Sequence, residues 1–146
     1  MFSPLNFPAV KLRLREEKNQ TQVFDVIRKK YVLLTPEEWV RQHVIHFLTE
    51  EKKFPAGLIE VEKQISLFNT NKRVDVLVRN KSLKPLLLVE CKAIDVALTQ
   101  TEINQLARYQ ITLQATYCML TNGINHIIMK LEDGKVAFLQ EMPSYQ

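Results

Sequence analysis

The sequence predicts an α/β fold: one central mixed β-sheet with α-helices packed on it. Three observations carry this. The element order from residue 35 onward reads helix, three strands, helix, three strands. Residues 85–91 form a nearly continuous apolar run, as a strand covered on both faces does. Thr35-Pro36-Glu37-Glu38 is a helix start, with a capping hydroxyl, a proline suited to the first helical position, and two carboxylates at the positive end of the dipole.

The elements follow in order. Residues 10–15 alternate Val10, Leu12 and Leu14 with Lys11, Arg13 and Arg15, the period-two pattern of a half-buried strand. The polar run 16–20 turns the chain, and residues 22–27 are expected to pair back as a hairpin, so that residues 1–34 form an N-terminal strand and hairpin extension. Thr35 and Glu38 have capping-box spacing, and Val40, Val44, Phe47 and Leu48 share one helical face. This first helix is expected to end near Glu51, before Pro55 and Gly57. Residues 58–68, 74–78 and 85–91 read as strands, the last two joined as a hairpin by the polar turn 79–84. Residues 99–113 read as a second helix, capped by Thr99 or Thr101, with Ile103, Leu106, Ala107 and Gln110 on one face. Residues 115–120 form another strand, ended by Thr121-Asn122-Gly123. Residues 124–131 and 136–139 close the series as a hairpin turning at Glu132-Asp133-Gly134.

Length and composition bound the function. A chain of 146 residues fits one domain, 1–146, able to bury its own core. Apolar residues at 46% and charged residues at 25% argue against disorder. No apolar stretch is long enough for a membrane helix and the first fifteen residues lack a signal-peptide core, so a cytoplasmic protein without membrane contact is expected. Cys91 and Cys118 are too few for a disulfide framework and sit in apolar runs, as buried free thiols do. His43, His46 and His126 show no metal-ligand spacing. Three glycines, with no phosphate-cradling motif, disfavour a nucleotide-binding fold. The net charge of +4 suits a polyanionic partner.

Two carboxylates interrupt apolar strands: Asp75 within Val74-Asp75-Val76-Leu77-Val78, and Glu90 at the end of Leu86-Leu87-Leu88-Val89-Glu90-Cys91-Lys92. Ionised groups are costly to bury uncompensated. A hairpin would bring the two side by side, where they repel unless a cation sits between them. A hard divalent ion, magnesium above all, is the natural partner for such oxygens. Glu90 and Lys92 project to one side of an extended chain; the Cys91 side chain points the other way, into the core, while its carbonyl can face the ion. Such a set suits phosphodiester hydrolysis: the metal lowers the pKa of a water and neutralises charge on the phosphate, and Lys92 positions the water or stabilises the developing anion. A general-base role for Lys92 would require a depressed pKa.

Asp75, followed fifteen residues on by Glu90-Cys91-Lys92, resembles the PD-(D/E)XK nuclease signature, with Val74 in place of the proline. More narrowly, the chain resembles the type I restriction enzyme R-subunit N-terminal-domain-like family. That resemblance is carried by Leu34 to Gln42, Arg73-Val74-Asp75, Leu86 to Ala93, Gln105 to Tyr109 and Leu120 to Gly123. It implies a restriction-endonuclease-like fold and a magnesium-dependent DNA endonuclease site, with manganese as a substitute. Asp75 and Glu90 would bind metal and Lys92 would be catalytic. Such nucleases often carry a further glutamate on the first helix; Glu38 or Glu37 would fill that place, but not both, since neighbours point about 100° apart. Gln105 and Tyr109 match a QxxxY element, on one helix face, that would touch the site or the DNA.

R subunits carry motor domains that these 146 residues do not contain, so the resemblance implies an activity directed by DNA structure or dependent on restriction-system partner subunits. Cutting both strands of a duplex would call for two sites, as in a homodimer. The rival readings are a non-catalytic nucleic-acid- or protein-binding module on a nuclease fold, and a structural protein in which Arg73 and Lys92 pair with the carboxylates. For Trp39, core or interface packing is the expected role.

Overall fold

The computed structural model describes residues 2–146. The N-terminal part is a three-stranded antiparallel sheet of β1 (Leu14–Glu17), β2 (Gln20–Asp25) and β3 (Lys30–Leu33). It departs from the expected two-strand hairpin in two ways. β1 starts later than the Val10–Leu14 alternation and is exposed throughout; ahead of it Val10 and Leu12 are half-buried and Lys11 and Arg13 exposed, without forming a strand. Strand β3 is additional; it is set up by Asp25, whose Oδ1 accepts from the backbone N–H groups of Ile27 and Arg28 and reverses the chain.

Helix α1 (Pro36–His46) begins where the capping pattern places it, with Thr35 Oγ1 accepting from Glu38 N at 3.0 Å. Its continuation over Phe47–Glu51 is a single π-helical turn in which Lys52 N–H donates to Phe47 C=O. Thr49 Oγ1 donates to the Ile45 carbonyl there, competing with the regular ladder. A 3-10 turn at Ala56–Leu58 then leads into the main sheet.

That sheet has six strands in sequential order: β4 (Ile59–Leu67), β5 (Thr70–Arg79), β6 (Pro85–Cys91), β7 (Tyr117–Thr121), β8 (His126–Glu132) and β9 (Lys135–Leu139). Only β6 and β7 are parallel, joined by helix α2 (Gln100–Leu113); the other neighbours are antiparallel. β5 is longer than its apolar stretch because the polar segment Asn71-Lys72-Arg73 pairs with β4 through a two-residue turn at Phe68-Asn69. Helix α2 starts with a complete Thr99/Glu102 capping box and ends on Gln114 in the left-handed conformation.

β6 runs through the middle of the core, and alternation along it divides the packing. Leu87, Val89 and Cys91 join Val40 and Val44 of α1 and Leu48 of the π-helical turn; Leu88 joins Leu106 of α2, with Leu77, Cys118 and Leu120. The apolar run at 85–91 is thus explained by a helix on each face. Both cysteines are buried and free. Gln110, fully buried, ties α2 to the sheet by donating to the Thr116 and Met129 carbonyls and accepting from Cys118 Sγ. Among the described residues, no helix is long and apolar enough to cross a membrane.

Residues before β1 cross over this framework as a strap. Asn6 N–H donates to Gly123 C=O at 2.7 Å, Asn6 C=O meets His126 Nε2 at 2.8 Å, and Trp39 Nε1–H donates to Ser3 C=O at 2.8 Å. Trp39 is therefore a packing residue, stacked on Phe2 and edge-on to His43. Gly123 has φ +91°, and a Cβ there would lie 2.7 Å from Leu5 Cδ2. Gly123→Ala should destabilise the protein by about 1 kcal/mol or more, read from the urea midpoint, because the left-handed backbone is strained for alanine and Leu5 must shift. An unchanged midpoint would mean that the strap is not held there.

Candidate active site

Backbone pairing between β5 and β6 reaches Val76↔Val89, and the next residues on each strand are Asp75 and Glu90. Here the strands diverge. Cys91 N–H donates to Asp75 Oδ2 at 2.7 Å, and Lys92 N–H donates to Thr121 C=O at 2.8 Å. The apolar strand interiors are thus what fix the two carboxylates at a common edge.

Asp75, Glu90, Cys91 and Lys92 line one cleft of about 220 Å³, with Glu37, Glu62 and Arg73 at its walls. A pocket of about 70 Å³ shares Glu90 and Lys92 with it and is completed by Lys72, Glu102, Gln105 and Tyr109. Larger cavities of about 620 and 590 Å³ lie elsewhere and include none of the strand carboxylates. Chemistry, not volume, marks the smaller cleft.

Asp75, Glu90 and Lys92 each have a charged partner. Arg41 Nη1 donates to Asp75 Oδ1 at 2.7 Å, Lys72 Nζ to Glu90 Oε2 at 2.9 Å, and Lys92 Nζ lies 3.0 Å from Glu102 Oε2. Burial, reinforced by the facing Glu90 carboxylate, holds the Asp75 carboxyl well above the usual range in spite of Cys91 N–H and Arg41. The hydrogen bond that Lys92 donates to Glu102 raises its pKa above the ordinary value, so it remains an ammonium. Burial pushes the Cys91 thiol far up, which makes it inert as a nucleophile.

The structure therefore brings together Asp75, Glu90, Cys91 and Lys92, with Gln105 and Tyr109 beside them; Gln105 Nε2 donates to Tyr109 Oη at 3.2 Å. Of the two helix glutamates, Glu37 lines the cleft. Glu38 does not: it is buried between two arginines, accepting from Arg28 Nη2 at 3.0 Å, Arg41 Nη2 at 2.9 Å and Arg41 Nε at 3.0 Å. Burial alone would raise Glu38, but the arginines and Gln42 hold it below the carboxylate range. Its place is one step behind Asp75, through Arg41. The correction has a simple cause: N-terminal capping fixes which way both glutamates point, and the second turns toward Arg28, on a loop absent from any helical pattern.

Arg41, Lys72 and Glu102 were not in the residue set that the sequence marks as a site. The carboxylates' partners are Arg41 and Lys72 instead of Arg73 and Lys92. Arg41 had a local signal, its i,i+3 spacing from Glu38. Lys72 had none, because its place depends on the β4–β5 register.

The donor set fits a hard divalent cation. Two carboxylates face each other closely enough to raise one pKa, which is the electrostatic situation that a divalent charge relieves. Among the described residues no three His, Cys, Asp or Glu side chains form a ready ligand group. Two protein carboxylates completed by water is the pattern expected of magnesium.

Among curated proteins none matches the chain. A fragment of a protein assigned as the HsdR subunit of a type I restriction enzyme from Vibrio vulnificus superimposes with a TM-score of 0.58 at 19% identity, over 76% of this chain and 24% of that one. The chain thus spans about a quarter of that structure's length. A protein assigned as a DUF820 nuclease from Anabaena variabilis aligns with a TM-score of 0.49 at 10% identity, over 87% of this chain and 80% of that one. The profile described as type I restriction enzyme R protein N terminus matches residues 36–143, from the first residue of α1 to beyond β9 and across every residue of the carboxylate cleft. With a nuclease-like mixed α/β fold and a profile match over most of its length, the chain belongs to the family of type I restriction enzyme R protein N-terminal domains.

Proposed function

We propose that this protein is a magnesium-dependent deoxyribonuclease domain that hydrolyses phosphodiester bonds in DNA, in a restriction-system setting. The observation that carries the reading is the crowding of Asp75 and Glu90 in one cleft with the Lys92 ammonium. Asp75, Glu90 and the Cys91 carbonyl would hold the ion. When bound, magnesium would supply charge to the scissile phosphate and acidify a water. Lys92, kept protonated by Glu102, donates a hydrogen bond to the attacking water or to a phosphate oxygen; it is not the base. Arg41 and Cys91 N–H hold the Asp75 carboxylate in a fixed orientation. Glu37 offers a carboxylate at the cleft wall to accept a proton from water. Water adds to phosphorus, the P–O ester bond breaks, and the departing oxygen takes up a proton. Cleavage of both strands requires two sites, which a homodimer or a restriction-system partner would supply.

The second reading is a non-catalytic binding module. What favours it is that Arg41 and Lys72 already occupy an oxygen each of Asp75 and Glu90 without an ion. Incubation of linear, supercoiled and single-stranded DNA with Mg²⁺, with Mn²⁺ and with chelator separates the two. Cutting only with cation is expected; no cutting on any substrate, together with no cation-induced rise in Tm, would favour the binding module.

A pH dependence follows from Asp75. In the cation-free folded protein its carboxyl keeps a proton to higher pH than in the unfolded chain. Its contribution to stability is full below the ordinary carboxylate pKa and is lost as pH rises through the raised, folded value. A cation replaces that proton. Stabilisation by Mg²⁺ is therefore expected to be small in acid and to grow toward alkaline pH, reaching about 2.7 kcal/mol at a hundredfold excess over Kd. Asp75→Asn should abolish the growth. Thermal unfolding across pH, with and without Mg²⁺, measures it; a pH-independent Mg²⁺ effect would count against Asp75 as a ligand.

A further inference from the structure

The β4–β5 hairpin tip places an aromatic side chain where folding has no use for it. Phe68 is 51% exposed. It occupies the left-handed region at φ 51°, followed by Asn69 at φ 63°, in a tight turn where Asn-Gly is the ordinary choice. A bulky residue there faces solvent and strains the backbone together, a combination that core packing does not explain.

Its surroundings are cationic and aromatic. The Arg108 guanidinium lies 4.7 Å from the Phe68 ring centroid, and the Tyr109 ring lies 6.2 Å away. Lys72 Nζ sits 5.5 Å from the Tyr109 ring and 2.9 Å from Glu90. An unbroken line of contacts thus leads from the hairpin tip to the carboxylate cleft. On the other side, Thr101, Asn104, Gln105 and Arg108 line an open groove of about 380 Å³ along α2, all neutral or basic, with Gln105 shared with the cleft pocket.

We infer that Phe68 and Arg108 form a stacking platform for an unpaired base of the DNA strand whose phosphate lies in the cleft, so that the site takes DNA with single-stranded character. This rests on the nuclease reading above. The physical reason is that an exposed aromatic face can stack only on a base whose own face is free, as in a single strand or a frayed end; bases inside a duplex are already stacked. Arg108 adds a phosphate-pairing charge beside the ring, and the groove along α2 gives the strand a path.

The test is fluorescence anisotropy of labelled oligonucleotides, a thymidine 20-mer and a blunt duplex of equal length, without divalent cation so that nothing is cut. Phe68→Ala should weaken single-strand binding about tenfold and leave duplex binding unchanged. Phe68→Trp should retain binding, with its fluorescence quenched by the single strand. Arg108→Gln should reduce the slope of log affinity against log salt by about one. If native protein binds and cuts DNA while Phe68→Ala binds the single strand as tightly as native, the platform is overturned and the nuclease reading stands. Equal loss on duplex and single strand also overturns it, since that marks a general contact. Native protein that neither binds nor cuts any DNA overturns both readings.

Discussion

Lys92→Ala is expected to lower cation-dependent DNA cutting by about 10²–10³-fold, with little change in stability or in DNA affinity. The ammonium is the one cationic side chain of the β6 terminus that lines both the cleft and the adjoining pocket. Its pairing with Glu102 holds its pKa above the ordinary lysine value, so it is charged at neutral pH. What disappears on truncation is a donor aimed at charge that develops in the transition state, so the loss falls on kcat and not on KM. Stability changes little because the Lys92–Glu102 pair is about a third exposed and screened by solvent. Arginine should not restore the rate, since its planar fork cannot place a single donor where the lysine does. Retention of activity within a few-fold, measured by single-turnover cleavage, would remove Lys92 from the mechanism.

Arg41→Ala is expected to cost about 3–5 kcal/mol of folding stability, the largest single-residue effect outside the apolar core. Its side chain is 7% exposed and ties together Glu38 at 6% and Asp75 at 12%. Removing it leaves two buried carboxylates facing Glu62 and Glu90 without their shared counter-charge. Arg28, which holds Asp25, Glu38 and Glu62 from a more open position, compensates only in part. Because the penalty is electrostatic, adding Asp75→Asn to Arg41→Ala should recover part of the loss, giving a double variant less damaged than the two single effects summed. Urea unfolding of the four proteins measures this coupling. A loss below about 1 kcal/mol for Arg41→Ala would mean that solvent reaches the network.

What could be read from the sequence divides along physical lines. Local signals carried well. The Thr35 and Thr99 caps set both helix starts, and apolar runs placed β5 and β6 with Asp75 and Glu90 at a shared edge. The i, i+2 geometry put Glu90 and Lys92 into one cleft with the Cys91 side chain in the core. Features set by turn chemistry or by a tertiary crossing, with no apolar pattern to mark them, were illegible: β3, the polar half of β5 that carries Lys72, and the crossing of Arg28 onto Glu38. The choice between Glu37 and Glu38 stayed open in the sequence for the same reason. It turns on Arg28, a half-buried arginine from a loop that neither periodicity nor composition can place.

The strap leaves a consequence for how the chain is made. Asn6 closes on Gly123 and His126, nearly the whole chain away in sequence, whereas β1, β2 and β3 pair through short turns. Closing so long a loop is entropically expensive until β7 and β8 are in place. Synthesis runs from the N-terminal side, so the strap leaves the ribosome well before the partners on which it closes. During that interval Phe7 and the face of Trp39 await their cover, which makes the early segment the natural client of chaperones and the late docking of the strap the signature of a finished fold.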